Sequence, residues 1–335
     1  MQKTIIKRSL SLIAAVLLLV SVGGVGSAQQ TTAGNYGNGI RVSPVRTDLV
    51  MNPGETRQIS VTISNLTSAS SDYQAYVNDF IAADGELGQP ALILDNDKYA
   101  PSHSLKRYMQ NVPNVTVGAG QSKDVKVTIS IPRDAAAGGY YGAVRFAPAK
   151  GGDDSKNVTL AASVGSLILV KVPGDIKENV TLETFDVRKG TGNKNGSSFF
   201  TTNKDLYAVT RFNNSGNVHE QPFGKLQLKK GGKVIETLEI NNTDPRGNVL
   251  PDSVRRFESK LTKVGFWGKY EVEGNFGYGT NGQLLQAKST FYVFPLVLIL
   301  IGLGLLILVL FLLFGLPKAI KNYNRNVVRK ANRRR

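Results

Sequence analysis

A chain of 335 residues has room for about two domains at the usual 100–200 residues each. Its 41% apolar and 20% charged residues exclude a chain that is disordered or membrane-embedded throughout. The absence of cysteine excludes a disulfide framework, a thiolate metal site and a thiol nucleophile, while a formal net charge of +16 raises nucleic-acid binding as a first possibility.

The chain opens with Lys3, Lys7 and Arg8, an apolar run from Leu10 to Val22, and then small residues. Gly26-Ser27-Ala28 has the small-x-small form that signal peptidase accepts, so residues 1–28 read as a signal peptide cleaved between Ala28 and Gln29. A first membrane anchor is the alternative, but the run is short and ends in glycines. Residues 29–39 are polar and glycine-rich, a flexible leader with nothing to bury.

Structure is expected from residue 40. Ile59, Val61 and Ile63 alternate with Ser60, Thr62 and Ser64, the period of a half-buried strand, and Asn52-Pro53-Gly54-Glu55 is the turn before it. The layout recurs in "VGAGQSKDVKVTISIP", and "GGYYGAVRFAP" follows with Tyr140, Gly142, Val144 and Phe146 on one face. After a polar loop, the unbroken apolar run of "LAASVGSLILVKVPG" reads as a strand buried on both faces. Short strands punctuated by Gly and Pro point to an immunoglobulin-like β-sandwich over residues 40–173.

A second sandwich is expected over residues 175–290. Gly231-Gly232 has the form of a two-residue hairpin turn, and Tyr270, Val272, Phe276 and Tyr278 share one strand face. "VLPDSVRRF" loosely repeats the turn-into-strand of "MNPGETRQI", and Trp267 is expected to anchor packing where a strand begins. Residues 291–316 carry no charge and are long enough for a transmembrane helix, and residues 317–335 form a basic tail. The fold class is therefore all-β: two immunoglobulin-like β-sandwiches in tandem, followed by a single transmembrane α-helix.

Charge can now be apportioned. The tail carries eight basic residues and no acid, and the start of the signal segment carries three, which leaves only +5 elsewhere. Lys and Arg collect on the cytoplasmic side of membrane spans, so the tail reads as a topology lock and no nucleic-acid partner is expected. The sandwiches would then lie outside the cell, with the basic C-terminus in the cytoplasm.

Catalytic chemistry finds little support. His103 and His219, the two histidines, fall one in each expected sandwich, which leaves no histidine cluster for a metal. Asp95 to Lys98 begins like a calcium loop but has Ala100 and Lys106 where an EF-hand needs Gly and Glu, so a turn is expected there. There is no G-x-S-x-G elbow and no phosphate-binding loop. No catalytic residue, metal or cofactor is expected, and the protein reads as a non-enzyme. No L-P-x-T-G precedes the apolar segment, so retention in the membrane is expected over transfer to the wall.

The stretches "NPGETRQISVTISN", "VGAGQSKDVKVTISIPRDAAAGGYYGAVRF" and "GSLILVKVPG" resemble the WxL-interacting proteins of Gram-positive bacteria. The resemblance carries the layout of signal peptide, two sandwiches, membrane helix and basic tail. It implies peptidoglycan binding by the first sandwich and binding of host or matrix proteins by the second. The expected function is a membrane-anchored cell-surface adhesion module whose partner is a cell-wall polymer or another surface protein, WxL-type included. The alternative is a chaperone-like assembly module that pairs a sheet edge with a partner strand. Because strand side chains alternate, Tyr141 and Arg145 fall on the face opposite Tyr140, Val144 and Phe146. That pair, an aromatic plane beside a cation, is the candidate ligand contact.

Overall fold

The period-2 patterns become strands in register. The structure, a computed structural model, describes residues 39–149, 163–192 and 195–332. The first sandwich comprises β1 (Ile40–Ser43), β2 (Arg46–Val50), β3 (Thr56–Asn65), β4 (Ser71–Ala82), β5 (Pro90–Leu92), β6 (Val115–Val117), β7 (Ser122–Ser130), β8 (Gly138–Pro148) and β9 (Val164–Val172). One sheet has the order β1-β3-β7, and the other β2-β9-β8-β4-β5 with β6 beside β4. β2 runs parallel to β9, with Arg46 opposite Leu167. The alternating residues Val61, Ile63, Val127, Ile129, Val144 and Phe146 meet between the sheets as one core.

The second sandwich follows as β10 (Val180–Lys189), β11 (Phe199–Phe200), β12 (Leu206–Asn214), β13 (Phe223–Lys230), β14 (Lys233–Ile240), β15 (Ser253–Lys260), β16 (Gly268–Tyr278) and β17 (Gln283–Val293). Its sheets have the orders β10-β12-β15 and β11-β17-β16-β13-β14. Gly231 and Gly232 join β13 to β14 with φ of +56° and +78°, the double positive φ that this hairpin turn demands. Leu206, Phe212, Leu228, Tyr270, Val272 and Phe276 form its core.

One device is built twice. Asn65 ends β3 and Asn214 ends β12, and both are fully buried. Each side-chain oxygen accepts from the backbone N–H two residues on, Thr67 at 3.0 Å and Gly216 at 2.9 Å. Each side-chain nitrogen donates to the carbonyl four residues on, Ala69 at 2.7 Å and Val218 at 2.8 Å. The same nitrogen reaches a distant carbonyl, Val117 in one sandwich and Val249 in the other. Sheet position therefore makes β15 the counterpart of β7, so the turn in "VLPDSVRRF" matches the one before β7 and not the one in "MNPGETRQI".

The apolar C-terminal run divides differently from expectation. Phe291 and Val293 are fully buried in the second core as the end of β17, so the helix starts only at Leu296, after Pro295. The core claims these residues because β17 continues to alternate against β16, where Tyr270 pairs with Phe291. The helix runs as α1 (Leu296–Leu310), a wider π turn over Phe311–Gly315, and α2 (Leu316–Asn332). The π turn lies just before Pro317, which has no N–H for the carbonyl one turn back. From Leu296 to Leu316 the rise is about 30 Å, the thickness of a hydrocarbon core. Among the described residues this is the one helix long and apolar enough to cross a membrane. The expected signal peptide, its Ala28–Gln29 cleavage point, nearly all of the leader, part of the polar loop before β9 and the last three residues of the tail lie outside the described residues.

Candidate functional site

The structure keeps the predicted faces of β8 but covers one of them. Tyr140 turns toward the first core, where it packs on Tyr108 with ring centroids 5.3 Å apart. Tyr141 points the other way and is only 2% exposed, because the second sandwich lies against that face. Its ring is flanked by His103 at 5.8 Å and His219 at 5.7 Å, so the fold brings together the two histidines that the sequence had seemed to separate. The candidate pairing of Tyr141 with Arg145 therefore needs correcting on geometry. A ring buried in a joint offers no plane to a ligand. Arg145 stacks instead on Tyr76 of β4, 4.4 Å from its centroid, and its Nε donates to Asn78.

The joint is specific. Phe80, Tyr141, Ala143 and Leu169 form a third apolar cluster, with Leu250 of the second sandwich packed against it. Gly139 N–H donates to the Asn217 carbonyl at 2.7 Å, and the Asn217 side chain donates back to the Ala137 carbonyl. Gly138 has φ of +143°, and a Cβ there would stand 2.8 Å from the Asn217 carbonyl oxygen. The glycine pair before Tyr140 thus admits the neighbouring backbone. Across the joint, Arg211 grips the Glu86 carboxylate with two nitrogens, holding its pKa below the usual range, and Lys171 pairs with Glu178 at 3.2 Å.

Beside this cluster the two sandwiches leave a cleft of about 290 Å³. At about 30 Å³ per water that is space for roughly ten waters, or one small polar ring with its substituents. Phe80, Leu167, Leu169 and Leu250 supply an apolar wall, while Arg46, Arg246 and Arg255 supply positive charge. Arg255 is the unusual member. Its guanidinium lies against Gly88 and Gly247, where an added Cβ would stand 2.1 and 2.4 Å from it. Nη1 donates to the Asn248 carbonyl at 2.8 Å, whereas Nε is buried without a hydrogen-bond partner. No carboxylate pairs with it among the described residues; burial, with Arg46 adding repulsion, lowers its pKa. Arg46 is paired, to Asp48 at 2.9 Å, and also donates to the Arg246 carbonyl. Arg255 also lies over the Phe257 ring, 5.0 Å from its centroid. A half-buried cation with no carboxylate partner is costly, and such groups collect at binding sites.

Two titratable groups sit beneath Tyr141. Burial pushes the Glu220 carboxyl up to about 7, with the Glu178 charge adding to the effect, although Gly279 N–H donates to it at 3.0 Å. Burial also holds His219 down to about 4. Elsewhere, Asp95 to Lys98 is a hydrogen-bonded turn in which Asp95 accepts from the Asp97 N–H and pairs with Lys98. Among the described residues no group of three or more His, Asp or Glu side chains is placed to hold a metal ion.

Fold and site together define a class: tandem immunoglobulin-like sandwiches with a basic, apolar-walled cleft at their joint and an apolar helix at the C-terminus. Residues 47–148 match the family model described as WxL Interacting Protein, peptidoglycan binding domain. The matched stretch lies in the first sandwich, where the sequence resemblance to the same family was seen. No relative is found among the curated proteins. Among solved structures, the chain is similar to a chaperone–tip adhesin complex of CFA/I fimbriae biogenesis, with 14% identity, a TM-score of 0.38, and coverage of 77% of this chain and 100% of that one. The class 5 fimbriae chaperone CfaA gives 14% identity and a TM-score of 0.37 over 77% and 100% of the two chains. The E. coli chaperone DraB gives 15% and 0.34 over 76% and 96%.

Proposed function

We propose that the protein is a non-catalytic cell-surface module, held in the membrane by its C-terminal helix, whose inter-sandwich cleft binds an anionic group of a cell-wall polymer. In this reading residues 1–28 are removed as a signal peptide, the sandwiches stand outside, and the basic tail stays in the cytoplasm. The observation that carries it is Arg255: a half-buried guanidinium that lines the cavity and has no acid paired with it among the described residues. A carboxylate or phosphodiester would complete it, and the apolar wall would take a sugar face or an alkyl substituent. The family match supports a wall ligand, and its residues include Phe80 and Gly88 to Pro90 on the cleft wall. The described lining residues include no carboxylate and no imidazole, which leaves the cleft without an acid–base pair.

Pairing of a sheet edge with a partner strand is the weaker reading. Two of the edge strands, β7 and β14, carry Lys123, Asp124 and Lys126, and Lys233, Glu236 and Glu239, the charges with which proteins blunt exposed edges. The test is co-sedimentation of the protein with purified wall sacculi, before and after stripping of phosphate-containing polymers. Arg255→Met should lower binding at least tenfold, about 1.4 kcal/mol, with an unchanged circular dichroism spectrum. Loss on stripping would assign a phosphodiester, and retention a peptidoglycan carboxylate. Equal binding by wild type and Arg255→Met would refute the cleft as the site.

A further inference from the structure

The expectation that Trp267 anchors packing fails: its side chain is 60% exposed. It is not alone. Phe266 is 55% exposed, Phe199 66%, and Phe294 41%. Sheet register gathers all four at one end of the second sandwich. β16 and β17 pair Gly268 with Val293, so Trp267 and Phe294 emerge side by side. β11 pairs Phe199 with Tyr292, and Phe294 N–H donates to the Phe200 carbonyl. Tyr292 stacks between Phe199, at 5.1 Å, and Phe294, at 6.2 Å. The loop bearing Phe266 is tied to the same end by the Asn203 side chain, which donates to the Val264 carbonyl.

Charge at this end is mostly positive, although the Glu236 carboxylate also lies here and accepts from the Thr262 and Lys263 N–H groups. Lys204, Lys230, Lys233, Lys263 and Lys269 are exposed, and none makes an ion pair among the described residues. Asp205, the acid beside Lys204, is taken up by Lys260. Lys230 donates to the Trp267 carbonyl, so cation and aromatic are neighbours.

What faces this end follows from chain length. Only Phe294 and Pro295 separate β17 from the first residue of the apolar helix. Two residues span at most about 7 Å. Exposed Trp, Tyr and Phe prefer the boundary between hydrocarbon and headgroups, and lysines within about 8–10 Å of anionic headgroups feel their potential.

We infer that the lower end of the second sandwich is a membrane seat, in which Phe199, Phe266, Trp267 and Phe294 enter the interface and the five lysines meet anionic headgroups. The inference rests on the membrane anchoring proposed above. Seated this way, the sandwich is held at the bilayer surface instead of swinging on a tether.

Trp267 is the sole tryptophan, so its fluorescence reports this surface without ambiguity. The full chain is reconstituted in vesicles of zwitterionic lipid, with or without anionic phosphatidylglycerol, and checked for resistance to alkaline carbonate. The seat predicts blue-shifted emission in anionic vesicles, quenching by lipids brominated near the headgroup, and protection from acrylamide. Changing Lys230, Lys233, Lys263 and Lys269 to Gln should move the emission to the red and reduce bromolipid quenching at least twofold, with carbonate resistance retained. Solvent-like emission and full acrylamide access in carbonate-resistant protein would overturn the seat and leave the anchoring intact. Release by carbonate would overturn the anchoring, and the seat with it.

Discussion

Asn214→Ala is the sharpest test of how the second sandwich is held. Asn214 makes three buried hydrogen bonds, to the Val218 carbonyl at 2.8 Å, to the Val249 carbonyl at 2.9 Å and from the Gly216 N–H at 2.9 Å. Each net bond contributes about 1 kcal/mol, and a backbone group left unsatisfied costs about 1–3. With some rescue by entering water, the substitution should cost about 3–5 kcal/mol, a large part of the stability of a domain. The loss should be read as a lowered urea midpoint by far-UV circular dichroism of the full chain in detergent. Asn65→Ala should cost a similar amount in the first sandwich, because its bonds are the same in kind. Asn214→Asp adds a pH signature. A carboxylate facing two carbonyls has a raised folded pKa, so stability is regained as pH falls toward the unfolded value near 3.9. An Asn214→Ala variant within about 1 kcal/mol of wild type would refute the reasoning, since three bonds lost together are not that cheap when their backbone partners stay buried.

Glu220 and His219 should give opposite pH slopes. Glu220, raised from 4.5 to about 7, stabilises fully below 4.5 and loses that contribution as pH rises through 7. His219, lowered from 6.5 to about 4, stabilises fully above 6.5 and loses that contribution as pH falls through 4. The two offset each other between pH 4.5 and 6.5, so His219→Gln should expose falling stability with rising pH and Glu220→Gln the reverse, each up to about 1.4 kcal/mol per unit in urea titrations. Gly138→Ala should loosen the joint by about 1–3 kcal/mol, through an unfavourable φ and the Asn217 carbonyl 2.8 Å away, and should speed proteolysis near Pro173-Gly174. Uncut protein under conditions that spare wild type would count against that geometry. Arg145→Gln should leave the joint intact, because Arg145 rests on Tyr76 outside it; loss of the joint in that variant, read by the same proteolysis, would contradict the assignment.

Much of the fold was legible because one face of each strand is buried and the side-chain period is two. Tyr140, Val144 and Phe146 could be placed inward from spacing alone. β4 was harder to see, since the adjacent residues Asn78 and Asp79 are both fully buried and break the alternation. Asp79 is there to accept from the Ala100 and Lys106 N–H groups and the Ser104 hydroxyl, contacts no local pattern announces. The end of β17 was hidden because its apolar residues run without a break into the helix. The cleft was illegible for a further reason: Arg46 meets the Arg246 carbonyl across 200 positions, and Gly88 makes room for Arg255 from the other sandwich. One signal was available. A tryptophan between Phe266 and Gly268, just before a strand whose partner leads into the helix, is placed where an interfacial residue belongs.

The central claim is that the cleft between the sandwiches, and not an outer sheet face, is where the wall ligand binds. Hydrogen exchange of the full chain, with and without solubilised wall fragments, tests it most directly. The account predicts slowed exchange confined to 88–90 and 243–255, the two cleft-lining segments, and its absence in Arg255→Met. Protection along β4 and β8 around Tyr76 and Arg145, with those two segments unchanged, would contradict it.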